Sequence, residues 1–155
     1  MSIALDRESL LVDATGEETL ASVEAALRRE RLTLDVDASA HAMTVREWLE
    51  AGAPGARDVW LDPADHVLAG LEAILPSGKK LVVRPAPRRA VGPDLTALIV
   101  GCGGRYAKLV RAHLRVHPVE VERPKTAPFA HDRDPALTDG EKALLETLDT
   151  ALAAL

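Results

Sequence analysis

Apolar residues recur along this chain at two spacings, and the spacing predicts the elements. Ser9 to Ala14 reads as a short strand. Thr15 and Glu18 then stand at capping-box spacing, and Leu20, Val23 and Leu27 share one helical face behind them. The charged run Arg28-Arg29-Glu30-Arg31 closes that helix as solvated surface, and Leu32 to Val36 alternates as a half-buried strand does. A second capping box, Thr44 with Glu47, opens a short helix that stops near Gly52, ahead of Pro54 and Gly55. Val67 to Leu75 and Lys79 to Arg84 flank Pro76-Ser77-Gly78, a hairpin signal. Pro85 to Pro93 is an irregular edge or loop, and Asp94 to Val100 suits one or two helical turns. The clearest strand pattern follows: Val110, Ala112, Leu114 and Val116 alternate with Arg111, His113, Arg115 and His117. Pro118 to Pro135 reads as a polar linker. A third capping box, Thr138 with Glu141, then starts a helix whose Leu144, Leu148, Ala151, Leu152 and Leu155 form an apolar stripe.

Composition narrows what these elements can build. A length of 155 residues suits one domain with a real core, and the 47% hydrophobic and 28% charged residues place it among water-soluble globular proteins. Aromatics are only 3%, so that core must be Leu, Val, Ile and Ala. No signal-like leader and no apolar run of membrane-spanning length is present, so neither export nor a membrane role is expected. The single cysteine, Cys102, excludes an internal disulfide and fits a reducing cytoplasm. A formal charge of −5 argues against general nucleic-acid affinity. The stretch from Ala73 to Pro93 departs from this balance: it holds Lys79, Lys80, Arg84, Arg88 and Arg89 and no acid at all. It suits an acidic or phosphate-bearing partner, or simply a charged strand edge that discourages aggregation.

Three runs carry a family resemblance. They are Asp65-His66-Val67 leading to Gly70-Leu71-Glu72 and Leu75-Pro76-Ser77-Gly78; Gly92-Pro93-Asp94-Leu95-Thr96 leading to Gly101-Cys102-Gly103-Gly104; and the strand ending at His117-Pro118. Together they resemble the second half of an FAD-binding domain of the PCMH type, found in flavin dehydrogenases and oxidases. Leu10 through Leu27 matches that half's opening strand and helix, and Thr44-Val45 matches its T-V-G-G helix, so the resemblance covers roughly residues 5 to 120. It implies an α+β fold: an antiparallel sheet of about five strands with packed helices over 1–120. A Pro-rich linker over 121–137 and a C-terminal helix over 138–155 then belong to the same unit. The resemblance does not extend to the family's preceding β–α–β lobe, whose R-G-G-G-T-S-type loop holds the FAD pyrophosphate; about ten residues precede the first expected strand here.

What the resemblance implies about flavin is altered at several positions. The two glycines of the T-V-G-G helix are Arg46 and Glu47, and the family's Y-G is Trp60-Leu61. Within the glycine-rich loop, Gly101 and Gly104 are kept, but the Ser and Thr hydroxyls and the last glycine are replaced. Only glycine lets backbone approach a cofactor that closely, so the flavin face is expected to be closed. If flavin binds at all, Thr44, Arg46, Asp94, Gly101, Gly104 and Arg105 are the residues expected to line it.

Other candidate chemistry is weaker. Arg105 beside Cys102 suggests a reactive thiol, but no motif fixes a base for it, and an inert buried cysteine is the better reading. His113 and His117 lie about 13 Å apart at strand rise and cannot chelate one metal as a pair. His66 suits a hydrogen-bonded structural role, with Asp65 orienting it. The glycine-rich loop lacks the spacing of a phosphate loop. No catalytic residue and no metal site is expected.

The expectation is therefore a non-catalytic binding or assembly module derived from a flavin dehydrogenase domain, holding no cofactor by itself. It would meet a protein partner or a second copy through its C-terminal helix or an exposed sheet face. The rival expectation is a subunit of a split FAD-dependent oxidoreductase, with FAD completed by a lobe on another chain. A small-ligand sensor that reuses the old cleft is a third.

Overall fold

The computed structural model describes residues 3–57, 66–85, 95–119 and 136–154. Trp60, Leu61, Asp65, Arg88, Arg89, the Gly92-Pro93-Asp94 turn, most of the expected linker and Leu155 lie outside the described residues.

Five antiparallel strands form the main sheet: β1 (Ile3–Asp6), β2 (Leu11–Thr15), β4 (Leu68–Ile74), β5 (Lys80–Val83) and β6 (Lys108–Arg115), in the order β1-β2-β6-β4-β5. A small second sheet pairs β3 (Leu32–Thr33) with β7 (His117–Pro118). Three helices complete the α+β architecture: α1 (Leu20–Arg28), α2 (Val45–Glu50) and α3 (Asp139–Ala153). Their apolar faces bury Leu20, Val23, Leu27, Val45, Trp48 and Leu49 in one cluster with Val12, Ala14, Leu71, Leu81, Leu109 and Leu114 of the sheet. The expected hairpin is present, with Gly78 at φ +86° and the Gly78 N–H donating to the Leu75 carbonyl at 2.8 Å.

Five elements depart from the periodic reading. The first expected strand begins only at Leu11, because Leu10 turns to φ +52°, and a separate strand β1 precedes it. The first helix is not capped by Thr15, which stays in β2 opposite Arg111. Thr19 does the capping, accepting from the Ser22 N–H at 3.2 Å. Strand β3 stops after Thr33, and Asp35 takes φ +55°. Glu24, buried on the same face as Leu20 and Leu27, holds this corner: it accepts from the Thr33 hydroxyl at 2.5 Å, the Leu34 N–H at 3.0 Å and Arg28 Nε at 2.6 Å.

The fourth departure lies in β6. Pairing with β4 jumps from Glu72–Arg111 to Ala73–Leu109, so Val110 is the extra residue of a β-bulge. Its carbonyl accepts from the Gly16 N–H at 2.8 Å, its side chain is 42% exposed, and Leu109 takes the buried place expected for it. Ala112, Leu114 and Val116 are buried as expected.

Helix α3, the fifth, presents the expected side in part: Leu148 and Leu152 of the stripe face the core, but Leu145 replaces Leu144. Leu145 is buried, Leu148 and Leu152 pack partly against the core, and Leu144 is 55% exposed. The Thr44 and Thr138 capping boxes both form, with Glu47 and Glu141 as the returning carboxylates.

Candidate functional site

Helix α2 and the glycine-rich loop meet because the loop finishes the helix. The Gly101 N–H donates to the Leu49 carbonyl at 2.9 Å and the Gly103 N–H to the Glu50 carbonyl at 3.0 Å, which satisfies acceptors at the helix C-terminus. Gly101, Gly103 and Gly104 all have positive φ, from +58° to +72°, so the loop needs glycine for its own geometry. A Cβ on Gly104 would come within 3.3 Å of the Glu50 carboxylate. The loop is therefore kept for a structural reason that holds with or without a cofactor.

The opposite end of α2 is closed by its own side chains. Glu47 accepts from the Thr44 N–H at 2.9 Å and the Thr44 hydroxyl at 3.0 Å, while Thr44 Oγ1 accepts from the Glu47 N–H at 3.2 Å. Those bonds from Thr44 hold the Glu47 carboxyl below its ordinary value, so it is ionised at neutral pH. The Arg46 Cβ sits 3.3 Å from where Gly16 would carry its own Cβ, and the Arg46 guanidinium pairs with Glu17. One helical turn on, Glu50 is pushed up by burial, with Arg46 and Lys108 pulling the other way. The face thus carries three carboxylates, Glu17, Glu47 and Glu50, against two cations. Beside it opens a groove of about 460 Å³, lined by Ile74, Pro76, Gly104, Lys108 and Val110 among others.

Arg105 does not join this face. Its Nε and Nη2 donate to the two oxygens of Glu141 on α3, each at 2.5 Å, and Nη2 also reaches the Ala136 carbonyl at 2.7 Å. The Tyr106 hydroxyl donates to the same carboxylate at 2.5 Å. At the far end of α3, the Ser77 hydroxyl donates to Asp149 at 2.7 Å and Lys79 Nζ to the Asp149 carbonyl at 3.1 Å. The helix is fastened by polar bonds at both ends, with Leu145 buried between them.

Glu141 is held far below the ordinary carboxylate range, chiefly by Arg105 and then by Tyr106. Because the folded value is the lower one, its contribution to docking is present above the ordinary value near 4.5 and is lost as pH falls through the depressed folded value. Amide exchange in α3 is therefore expected to stay protected from neutral pH through the ordinary carboxylate range. It is expected to rise only in stronger acid, whereas Glu141→Ala should raise it already at neutral pH.

Of the residues expected to line a flavin, the structure brings Thr44, Arg46, Gly101 and Gly104 to α2 and its two junctions, turns Arg105 away to α3, and does not describe Asp94. Sequence reasoning missed Glu17, Glu50 and Tyr106. Glu50 stands four residues after Arg46 on a helix, a spacing that places both on one face and could have been read. The pairing of Arg105 with Glu141 spans 36 residues and carries no sequence signal.

The remaining candidates are structural. Cys102 is half-buried rather than buried as expected, and its thiol donates to the Ala97 carbonyl at 3.1 Å. His66 Nδ1 accepts from the Leu68 N–H at 3.2 Å, and the His66 carbonyl accepts from Arg115 Nε at 2.8 Å, which is the structural role expected of it. His113 lies beside Asp13, while His117 pairs in the other sheet. In the basic run, Lys80 pairs with Glu72 at 2.8 Å and Lys79 reaches α3. Among the described residues no cluster of three metal-ligating side chains occurs, and no helix is long and apolar enough to cross a membrane.

The five-stranded antiparallel sheet with its helices is the fold of PCMH-type FAD-binding proteins, of which the chain matches a part. Two solved structures of alkyldihydroxyacetonephosphate synthase, in different crystal forms, superpose with TM-scores of 0.61 and 0.59 at 18% identity. They cover 77% and 76% of this chain but 21% of the synthase. In sequence the chain is similar to uncharacterized FAD-linked oxidoreductases of Mycobacterium tuberculosis, strains CDC 1551 / Oshkosh and ATCC 25618 / H37Rv. Each is 35% identical over 116 residues, covering 66% of this chain. The chain spans a quarter of those relatives' length, 25%. No family model matches it.

Proposed function

We propose that this chain is a non-catalytic binding or assembly module built on a flavin-domain fold, and that it does not hold FAD by itself. The observation that carries the reading is the closed end of α2. In the fold this chain resembles, that end is expected to receive the cofactor, and here the ionised Glu47 carboxylate is bonded across it. A diphosphate brought there meets a fixed negative charge, with Glu17 and Glu50 close by and Arg46 already paired. The withdrawal of Arg105 to Glu141 supports the same reading by removing a cation from the loop.

One observation favours the rival. The groove beside Gly104 is open, and a lobe on another chain could bring FAD to it, with Thr44, Arg46, Asp94, Gly101, Gly104 and Arg105 lining the flavin. In that split oxidoreductase Arg105 must first leave Glu141.

Titration of the full chain with FAD, followed by quenching of flavin fluorescence, tests the proposal. No saturable change up to high-micromolar protein is expected. Saturation in the low-micromolar range would overturn it.

A further inference from the structure

The five-stranded sheet has two edges, and they are guarded unequally. At β5 the edge carries Lys80, flanked by Lys79 and Arg84, with Pro85 following, all features that discourage further pairing. At the other edge β1 (Ile3-Ala4-Leu5-Asp6) carries one charge, Asp6 at its end with Arg7 following, and no Pro, and among the described residues it pairs with β2 alone. Ile3 and Leu5 lie opposite Ala14 and Val12. Those two are fully buried, yet Ile3 and Leu5 are only half-buried. Between this strand and α1 opens a groove of about 570 Å³, shaped by the small side chains of Ser22, Ala25 and Ala26. The apolar layer that covers the sheet elsewhere is incomplete at this edge.

We propose that β1 is the edge through which two copies of this chain join, antiparallel, into one continuous sheet. Parity and apolar overlap together set the register. Directly opposed residues of an antiparallel pair face the same side, and Ile3 and Leu5 must stay on the helix side. Any residue of β1 on the two-fold axis meets that condition. Ala4 on the axis, opposite the partner's Ala4, is the choice that sets the two apolar residues against each other, Ile3 opposite the partner's Leu5, whereas an axis at Leu5 would set Ile3 opposite the partner's Arg7. Ala4 is exposed and small, so it tolerates that approach. The groove's rim carries Arg7 and Arg29 against Glu18 and Glu30, and Arg7 pairs with Glu30. A rim without net charge suits its own copy and gives no advantage to a strongly acidic or basic strand. Pairing adds main-chain hydrogen bonds and brings the two half-buried Ile3–Leu5 patches side by side in one apolar face. So short an edge makes a small interface and hence a reversible dimer.

This deepens the assembly part of the proposed function, and its test separates the two. Sedimentation of the full chain from low- to high-micromolar concentration is expected to show reversible doubling of mass. Ala4→Lys, an exposed change that leaves the fold intact, is expected to abolish the doubling. In a Cys102→Ser background, Ala4→Cys should give a disulfide-linked dimer under mild oxidation, since residues paired on the axis have Cα atoms about 5 Å apart. Monomer mass throughout for the unaltered chain, or a dimer indifferent to Ala4→Lys, would overturn the proposal. A dimer that also binds FAD would sink the cofactor reading and leave this one standing; a flavin-free monomer would do the reverse.

Discussion

Trp48→Ala is expected to destabilise the domain by about 3–5 kcal/mol, read as a lower denaturant midpoint with little change of slope. Among the described residues Trp48 is the largest fully buried side chain, in a core with few aromatics. Its Nε1–H also donates to the Pro54 carbonyl at 2.9 Å, tying α2 to the turn that follows it. Trp48→Phe keeps most of the apolar volume and loses that bond, so a smaller cost of about 1–2 kcal/mol is expected. Equal costs for the two changes would mean that the hydrogen bond, rather than the packing, fixes α2.

Gly70→Ala is expected to be about as damaging, at about 3 kcal/mol or more, although it adds a single methyl group. A Cβ at this position would lie 2.6 Å from the Pro85 Cα, 2.7 Å from the Pro85 nitrogen and 2.8 Å from the Val83 carbonyl oxygen. All three are backbone atoms, so no rotamer change can relieve the clash. Gly70 sits in β4 next to the register shift with β6, with Val83 and Pro85 at the end of β5 packed against it. The same substitution at Gly78 meets no atom within 4 Å and is limited to the strain of its positive φ. A calorimetric comparison of the two variants should show the larger fall in melting temperature for Gly70→Ala. The opposite order would mean that strand β5 moves freely away from β4.

Much of this fold was legible because its signals are local. The Thr44 and Thr138 boxes each place both partners within one turn, and the hairpin is written in Pro76-Ser77-Gly78. Thr15 failed as a cap because its strand pairing with Arg111, a long-range contact, holds it in β2. Val110 failed as a core residue for the same kind of reason: the Gly16 N–H and the β4 register create the bulge. On α3 the residues Leu145, Leu148 and Leu152 follow Glu141 at helical spacing. Leu148 and Leu152 belong to the expected stripe as well, but periodicity alone could not choose Leu145 over Leu144, where the Arg105 bond to Glu141 from 36 residues away orients the helix. The candidate site divides along the same line. The meeting of α2 with the glycine loop was implied by the family resemblance, and the Thr44–Glu47 closure by three-residue spacing. Glu50 stood at readable spacing from Arg46, whereas the pairing of Arg46 with Glu17 and the loss of Arg105 to α3 emerged only from tertiary contacts.

The central claim is that the old flavin face is closed from within, and the visible absorbance of the purified protein tests it most directly. The spectrum should be taken from about 350 to 500 nm, where bound flavin absorbs, before and after incubation with excess FAD and desalting. A protein that is colourless at the start and colourless after desalting is the predicted result. Yellow flavin retained through desalting would contradict the account and make α2 and the glycine loop a working cofactor site.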